Sequence, residues 1–453
     1  MELIVCKFGG SSVATVENLK QILSVIKANK SRRCVVLSAP GKAQGIEQKV
    51  TDQLIAVVEK SLAGNPVAEE IDNVKKRYLA LYGGLGLAGN DISEVIDDLD
   101  TRIAADKSNP LKYRDLVVAS GEDYNAQLYA KYLAREGLPA AYFSPAEIGL
   151  IVTAQFGDAQ PETASLLEIA KLKETCEETI AIIPGFFGAT AKGDIATFSR
   201  GGSDLTGALM AEALDAVEYE NFTDVDGIFS SNPKLVDNPM QIPALTYKEM
   251  RELSYIGFNV FHEEAVWPAM RKKIPIRLRN TNNLDNPGTL IVAQRLPSEN
   301  DVVGVTCDGG YCSFNLEKFL MNREKGFGRK LLSIFEELDI SYEHCPSSVD
   351  SISVILDQEQ LTSEMVNEII RTIEDQLQPD EVRSEYGIAL LAVVGEGLAH
   401  KIGVLGQAAN ALAHAGVNIK MVNQGSSEIS IIFGIDASDE KKAINALYGE
   451  FFT

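Results

Sequence analysis

The chain has 453 residues, 45% of them apolar and 23% charged, and a formal net charge of −22. Such a length implies two or three domains with ample core. The acidic balance argues against nucleic acid or an anionic membrane as partner, but leaves an anionic small molecule open if lysines and arginines gather locally.

Only four histidines occur, and neither HExxH nor paired-cysteine spacing is present, so no metal site built from protein ligands is expected. Cys6, Cys34, Cys176, Cys307, Cys312 and Cys345 are scattered, mostly in apolar runs. That is the pattern of buried free thiols in a reducing cytoplasm rather than of a disulfide framework. Asn221-Phe222-Thr223 matches a glycosylation sequon, but nothing directs the chain to the secretory route. No apolar run is long enough to span a bilayer, and the N-terminus enters a strand with no signal peptide.

LIVCKFGGSSVA begins as a β-branched run and breaks at Gly9-Gly10. The next stretch, TVENLKQILSVIKANK, places Leu19, Ile22, Leu23 and Ile26 on one helical face. Strand, glycine turn and helix form the unit with which α/β proteins hold ligands at strand C-terminal ends. Lys7 is a charge near the end of an apolar strand. Either it snorkels to the surface, or its ammonium is aimed at phosphates beside Gly9-Gly10; the second reading is favoured.

CVVLSAP reads as the next strand, ending at Ser38-Ala39-Pro40. Gly41 to Gly45 looks like a mobile loop, and a helix opens at Lys49-Val50-Thr51-Asp52. Helical patterns run through 67–82 and 91–105. Between them, Gly84 to Gly89 matches GxGxxG but follows a helix rather than a strand, so it reads as a connection. DLVVASGED is expected to be a strand ending at Gly121-Glu122, with the helix DYNAQLYAKYLARE after it. Glu122 is either a plain first-turn acid, favourable at the helix dipole, or the grip for a substrate ammonium. AAYFSP and TIAIIPGFFG read as buried strands, the second ending at Gly185-Phe186.

Phe198-Ser199-Arg200-Gly201-Gly202-Ser203-Asp204-Leu205-Thr206 is the stretch around which the rest is organised. Gly201 and Gly202 let the backbone approach a ligand closely. Arg200 beside them is a fork-shaped anion grip. Ser203, Asp204 and Thr206 open the helical run LTGALMAEAL, where Asp and Ser satisfy free backbone N–H groups and the helix N-terminus attracts anions. The nine residues describe either a site for an anionic small molecule next to a phosphate donor or an ordinary loop before a capped helix. The strand in VEYENFTDVDGIFSSNPK ends at Thr223-Asp224, and a polar turn runs on to Pro233-Lys234. IPIRLRNTNN and GTLIVA close the domain near residue 295. Repeated strand–helix units argue for an open, mainly parallel sheet.

Beyond that point an internal repeat is visible. Leu331, Leu332 and Phe335 lie in a helix after Gly326, followed by the strands ISYEHCPSS and DSISVILD. Ile402, Leu405, Ala409 and Leu412 mark a second helix, followed by VNIKMVNQGSS and EISIIFGID. Both copies read as β-α-β-β-α-β units. The second lacks a closing strand, which DVVGVTCDG at 301–309 can supply if the first unit is inserted into the second.

KFGGSSVA, FSRGGSDLTGA and FTDVDGIFSSNPK, in this order before a duplicated tail, resemble the three signature stretches of the aspartate kinases, and the resemblance covers the whole chain. It implies an α/β amino-acid-kinase fold over 1–295, an open, mainly parallel sheet sandwiched by helices. Two ferredoxin-like βαββαβ ACT domains would follow, one over 311–386 and one over 301–310 plus 387–453. It implies transfer of the ATP γ-phosphoryl group to the β-carboxylate of L-aspartate, on the way to lysine, threonine and methionine, with Mg²⁺ held by ATP and water.

By motif, Lys7, Gly9, Gly10 and Ser11 would cradle the phosphates, and Asp204 would organise Lys7. Arg200 would grip the substrate α-carboxylate and Glu122 its ammonium. Ser38, Thr51, Phe186, Gly202 and Ser203 would line the aspartate pocket. Thr223, Asp224, Phe229 and Lys234 would contact the nucleotide. Asn259 stands where the family commonly has a nucleotide-binding lysine, a departure that keeps hydrogen bonding and loses the charge. The ACT pair would dimerise the chain, with dimer versus tetramer open. It would bind an effector through Met321, Glu324, Gly326, Phe327, Gly328, Ile340, Tyr342, Glu343, Ser347 and Ser348. Glu343, as partner for a side-chain ammonium, favours lysine over threonine. Rival readings are a decayed, non-catalytic amino-acid sensor and a kinase of the same fold acting on glutamate. No homoserine dehydrogenase domain is expected after the tail.

Overall fold

The computed structural model describes residues 2–199, 201–258, 263–295 and 301–452. The chain divides into two compact units, Met1–Ile228 with Gln241–Met250 and Asn259–Arg295, and Phe229–Met240 with Arg251–Phe258 and Leu296–Thr453.

In the first unit the strands are β1 (Ile4–Phe8), β2 (Arg32–Leu37), β3 (Ala140–Tyr142), β4 (Ile151–Val152), β5 (Ile180–Pro184), β6 (Phe187–Thr190), β7 (Ile195–Thr197), β8 (Glu218–Thr223), β9 (Ala244–Thr246), β10 (Ile276–Asn280) and β11 (Thr289–Val292). Eight of them form one sheet in the order β3-β5-β2-β1-β8-β10-β11-β9. All its pairings are parallel except β10 with β11. β4, β6 and β7 make a separate small sheet. β1 and β5 are buried along their whole length, which is why they read as continuous apolar runs. The order β5-β2-β1-β8 sets the C-terminal ends of four parallel strands side by side, the place where α/β sheets bind ligands.

The Val16–Ala28 helix starts as its sequence suggests, with Thr15 accepting from the Asn18 N–H, and buries Leu19, Ile22, Leu23 and Ile26. A short 3₁₀ turn, Ser11–Val13, separates it from the glycines. DLVVASGED is not a strand. It lies in two helices, Pro110–Val118 and Ser120–Arg135. Asn109 caps the first and Pro110 starts it. Its apolar end is buried in the helical layer, and a short buried run has the same composition in either structure. The 91–105 pattern is likewise split, into Gly89–Ile96 and Asp98–Ile103.

In the second unit, β12 (Gly304–Glu317), β13 (Ser351–Asp357), β14 (Glu381–Val394), β15 (Met421–Asn423) and β16 (Ser430–Asp436) form a sheet ordered β13-β12-β14-β16-β15. β12 and β14 are long and shared. Residues 311–317 of β12 pair with β13 and with 381–388 of β14. Residues 304–308 pair with 390–394, the part of β14 that pairs with β16. Two cores result, one around Phe314, Leu331, Phe335 and Ile369, the other around Leu391, Leu412, Phe433 and Leu447.

ISYEHCPSS forms only the isolated bridges His344–Ile355 and Ser347–Ile352, and the strand expected in VNIKMVNQGSS shrinks to three residues. The helix expected through Ile402 begins at Val404, after Gly403 in the left-handed region. That rotates its buried face to Val404, Ala408 and Leu412, and leaves Ile402 fully exposed. All six cysteines are free, five of them buried.

Candidate active site

Lys7 is the fourth residue of β1 and is 8% exposed. Its Nζ lies 2.6 Å from Asp204 Oδ1. Beyond β1 the chain turns immediately: Gly9 N–H donates to the Phe222 carbonyl at 3.1 Å, and Gly10 accepts from Gly41 N–H at 2.8 Å. The two backbones touch so closely that a Cβ on Gly41 would stand 2.6 Å from the Gly10 carbonyl carbon. A Cβ on Gly9 would meet Lys7 Nζ at 3.4 Å, which places the bare glycine turn next to the ammonium.

Asp204 comes from the first turn of the Gly202–Leu214 helix. Contrary to expectation, neither Ser203 nor Asp204 caps that helix; the N-cap is Gly201, at φ 73°. The Asp204 carboxylate is occupied elsewhere. Besides Lys7, its Oδ1 accepts from Asn221 Nδ2 at 2.7 Å.

Glu122 lies in the first turn of the Ser120–Arg135 helix, 5% exposed. Ala39 N–H donates to its Oε1 at 3.0 Å, and its Oε2 is buried without a hydrogen-bond partner. Burial pushes its pKa up to about 8, the Ala39 bond opposing and the neighbouring Asp123 adding to the rise. Ser38, next to Ala39, accepts from Asn125 Nδ2 through its carbonyl. Thr51 is in the first turn of the Val50–Leu62 helix, whose Val50 N–H donates to the Pro40 carbonyl.

Phe186 follows β5 at φ 78°, with its N–H held by Thr206 Oγ1 at 3.1 Å. Gly202 packs against it so tightly that a Cβ there would stand 2.8 Å from Phe186 Cδ2, and a Cβ on Gly185 would meet Ser203 Oγ at 2.6 Å. Phe186, Gly202 and Ser203 are thus one contact group, and Lys7, Gly9 and Asp204 another.

Thr223 ends β8, and its Oγ1 is 3.2 Å from Asp224 Oδ1. Phe229 and Lys234 belong to the second unit; Lys234 is exposed. Arg200 and Asn259 lie outside the described residues. Among the described residues no group of three or more His, Cys, Asp or Glu side chains is placed to hold a metal.

In the C-terminal unit, Met321 sits in the 3₁₀ turn Met321–Arg323, and Gly326 is the left-handed N-cap of the Phe327–Glu337 helix. The Glu324 carboxylate is already engaged, by Lys318 and Lys330 at 2.8 Å each, which hold its pKa down at about 2. Glu343 is half-buried, and its N–H donates to the Ile355 carbonyl. Among the described residues, four of the ten expected effector residues line two different cavities. Ser347 and Ser348 line one with Ser313, Ser353, Glu385 and Lys420, whereas Ile340 and Tyr342 line another with Glu336 and Gln360.

Three residues escaped the sequence reading. Asn221 stands opposite Lys7 in the β1–β8 register. Its only local signal was an amide in the strand Glu218–Thr223, hidden under a sequon match. Asp115, fully buried, accepts from the N–H groups of Gly157 and Thr197 and from Thr197 Oγ1, each at 2.8 Å, and so fixes β7 just before the central motif. Tyr78 donates to the Gly121 carbonyl at 2.6 Å and pins the turn that carries Glu122. No local sequence signal marks either of these.

The model of the amino acid kinase family matches residues 2–280, and that of an ACT domain matches residues 391–451. The chain is 47% identical over 448 residues to aspartokinase 3 of Bacillus subtilis, covering 99% of this chain and 98% of that protein. Among solved structures, the aspartate kinase of Clostridium acetobutylicum superposes with a TM-score of 0.88 at 34% identity, over 99% of this chain and 100% of that one. Aspartokinase III of Escherichia coli matches over the full length of both chains in two forms. Its R-state complex with aspartate and ADP gives a TM-score of 0.81 at 26% identity, and its T-state complex with lysine and aspartate gives 0.79 at 25%.

Proposed function

The chain belongs to the amino acid kinase family, among the aspartokinases, ATP-dependent kinases that phosphorylate aspartate, and from that premise we propose which of its residues carry the reaction and its control. The acceptor is the β-carboxylate of L-aspartate and the donor the γ-phosphoryl group of ATP. A carboxylate has a pKa of about 4 and is already a nucleophile at neutral pH, so the site needs no general base. Its task is to bring two anions together, by positioning and by positive charge.

Lys7 and the N–H groups of Gly10 and Ser11 receive the phosphates, beside the bare Gly9, whose own N–H is held by the Phe222 carbonyl. Asp204 holds Lys7 in place. Arg200 takes the α-carboxylate of aspartate and Glu122 its ammonium, while Ser38, Thr51, Phe186, Gly202 and Ser203 shape the pocket. By motif, Thr223, Asp224, Phe229, Lys234 and Asn259 would contact the nucleotide. Mg²⁺, when bound, would neutralise phosphate charge, held by ATP oxygens and water. The observation that carries this reading is the Lys7–Asp204 pair at the C-terminal end of β1, against a glycine turn with no side chain in the way. Its test is ADP release assayed with aspartate and with glutamate. Release with glutamate alone, or with neither, would overturn it.

For control, we read 311–386 and 301–310 plus 387–453 as two ACT modules, the first inserted into the second. The half-by-half pairing of β12 and β14 supports this. The effector is lysine, as in the lysine complex of the E. coli enzyme. The effector site would be completed by a second copy of the chain, hence a homodimer; that Ser347 and Ser348 line a different cavity from Ile340 and Tyr342 supports this. Glu343 would partner the effector's side-chain ammonium, since Glu324 is held by two lysines. Calorimetry that detects threonine binding and no lysine binding would refute the effector assignment. The enzyme would act in the cytoplasm, on the route to lysine, threonine and methionine.

A further inference from the structure

β8 carries two alternating sets of side chains. Glu220 and Phe222 face one side, where Glu220 binds Arg32 and Arg279 and Phe222 stacks on Phe8. Tyr219 and Asn221 face the Gly202–Leu214 helix, and both reach Asp204. Asn221 is 3% exposed and sits on the same rung as Lys7 in the parallel β1–β8 pair. Its Nδ2 lies 2.7 Å from Asp204 Oδ1, the same oxygen that Lys7 Nζ approaches to 2.6 Å. Nδ2 also points at Tyr219 Oη, 3.4 Å away, and Tyr219 Oη donates to the Asp204 carbonyl at 3.2 Å. A carboxylate only accepts, so its partner on Asn221 must be the amide NH₂, and the amide orientation follows.

Tyr219 reaches this position because the residue facing it in the helix has no side chain. A Cβ on Gly207 would stand 2.4 Å from Tyr219 Oη. Glycine inside a helix is disfavoured relative to alanine, so the room made for Tyr219 comes at the helix's expense.

We propose that Asn221 is a positioning residue for phosphoryl transfer, which fixes the Asp204 carboxylate so that Lys7 is presented to the phosphates. The terminal torsion of an aspartate is soft, and an ion pair alone does not fix it. With Lys7 as its only partner, the carboxylate turns freely and draws the ammonium toward itself. A second donor on the same oxygen sets the plane of the carboxylate and takes part of its charge, leaving the ammonium free to face the donor phosphates. The inference rests on the roles given above to Lys7 and Asp204, and Asn221 touches neither substrate.

The test is steady-state kinetics on the full chain with Asn221→Leu, Asp204→Asn and the double variant, each checked by thermal unfolding. Asn221→Leu lowers kcat at least tenfold, keeps both KM values within about threefold, and keeps Tm within a few degrees. The double variant is no slower than Asp204→Asn, because Asn221 acts only through that carboxylate. Wild-type kcat in Asn221→Leu overturns the proposal, and so does a double variant slower than Asp204→Asn by the whole Asn221→Leu factor. If leucine is not tolerated, Asn221→Ala removes the donor without adding bulk or charge and shows the same fall in kcat; wild-type turnover in it counts against the proposal equally. Full activity in Asp204→Asn would instead sink the assignment of Lys7 and Asp204 on which this inference stands.

Discussion

Ala39 N–H donates to Glu122 Oε1 at 3.0 Å, whereas Glu122 Oε2 is buried with no hydrogen-bond partner. A buried carboxylate satisfied on one oxygen only is held protonated, and burial raises its pKa to about 8. An arriving ammonium supplies the missing donor and a compensating charge.

Aspartate binding is therefore coupled to loss of a proton from Glu122 below about pH 8. The KM for aspartate falls as pH rises from 6.5 to 8.5, by up to about tenfold per pH unit at the acid end. Calorimetry in buffers of different ionisation enthalpy registers the released proton. A KM that rises with pH over this range contradicts the assignment.

The same group sets a trade between stability and function. Its folded pKa lies above that of an unfolded glutamate, so the native state holds the extra proton. Its contribution to stability is complete below about pH 4.5 and is lost as pH rises through about 8. Glu122→Gln removes the titration and keeps the size. The ligand-free variant is expected to gain about 1–3 kcal/mol at pH 8 and little at pH 5, while its aspartate KM rises at least a hundredfold. Urea unfolding at the two pH values measures the first effect and initial rates the second.

Much of this was legible in the sequence because one residue type at one position admits few roles. Lys7 at the end of an apolar strand, before two glycines, is such a position, and the structure sets it on Asp204. The strand ends at Ser38, Phe186 and Thr223 were readable from the glycine or polar break after each apolar run. DLVVASGED failed for the converse reason, since a short buried run carries no periodicity to tell helix from strand. Asn221 could not be weighted in advance, because its meaning lies in a rung shared with a strand more than 200 residues away. The helix of the second repeat was misphased because the left-handed Gly403 sets its start, and periodicity alone does not locate a cap.

On the other side of β8 the fold depends on charge. Glu220 accepts from Arg32 Nε at 2.6 Å and Nη2 at 2.8 Å and from Arg279 Nη1 at 3.2 Å, and Cys6 Sγ lies 3.4 Å away. Burial alone would raise the Glu220 pKa, but its Arg32 partner more than offsets this and holds it below the usual range. Glu220→Ala strands the buried Arg32 guanidinium and takes one partner from the half-buried Arg279, and denaturant unfolding should show a loss of about 3–5 kcal/mol. A loss under 1 kcal/mol would mean that water reaches these arginines.

The account turns on a single ammonium that lets two acids meet inside an acidic protein. Replacing Lys7 by alanine and measuring kcat alongside the equilibrium affinity for aspartate tests it directly. The expectation is a fall in kcat of at least a thousandfold with aspartate affinity kept within about threefold. Turnover that survives the substitution, or a loss confined to aspartate binding, would contradict it.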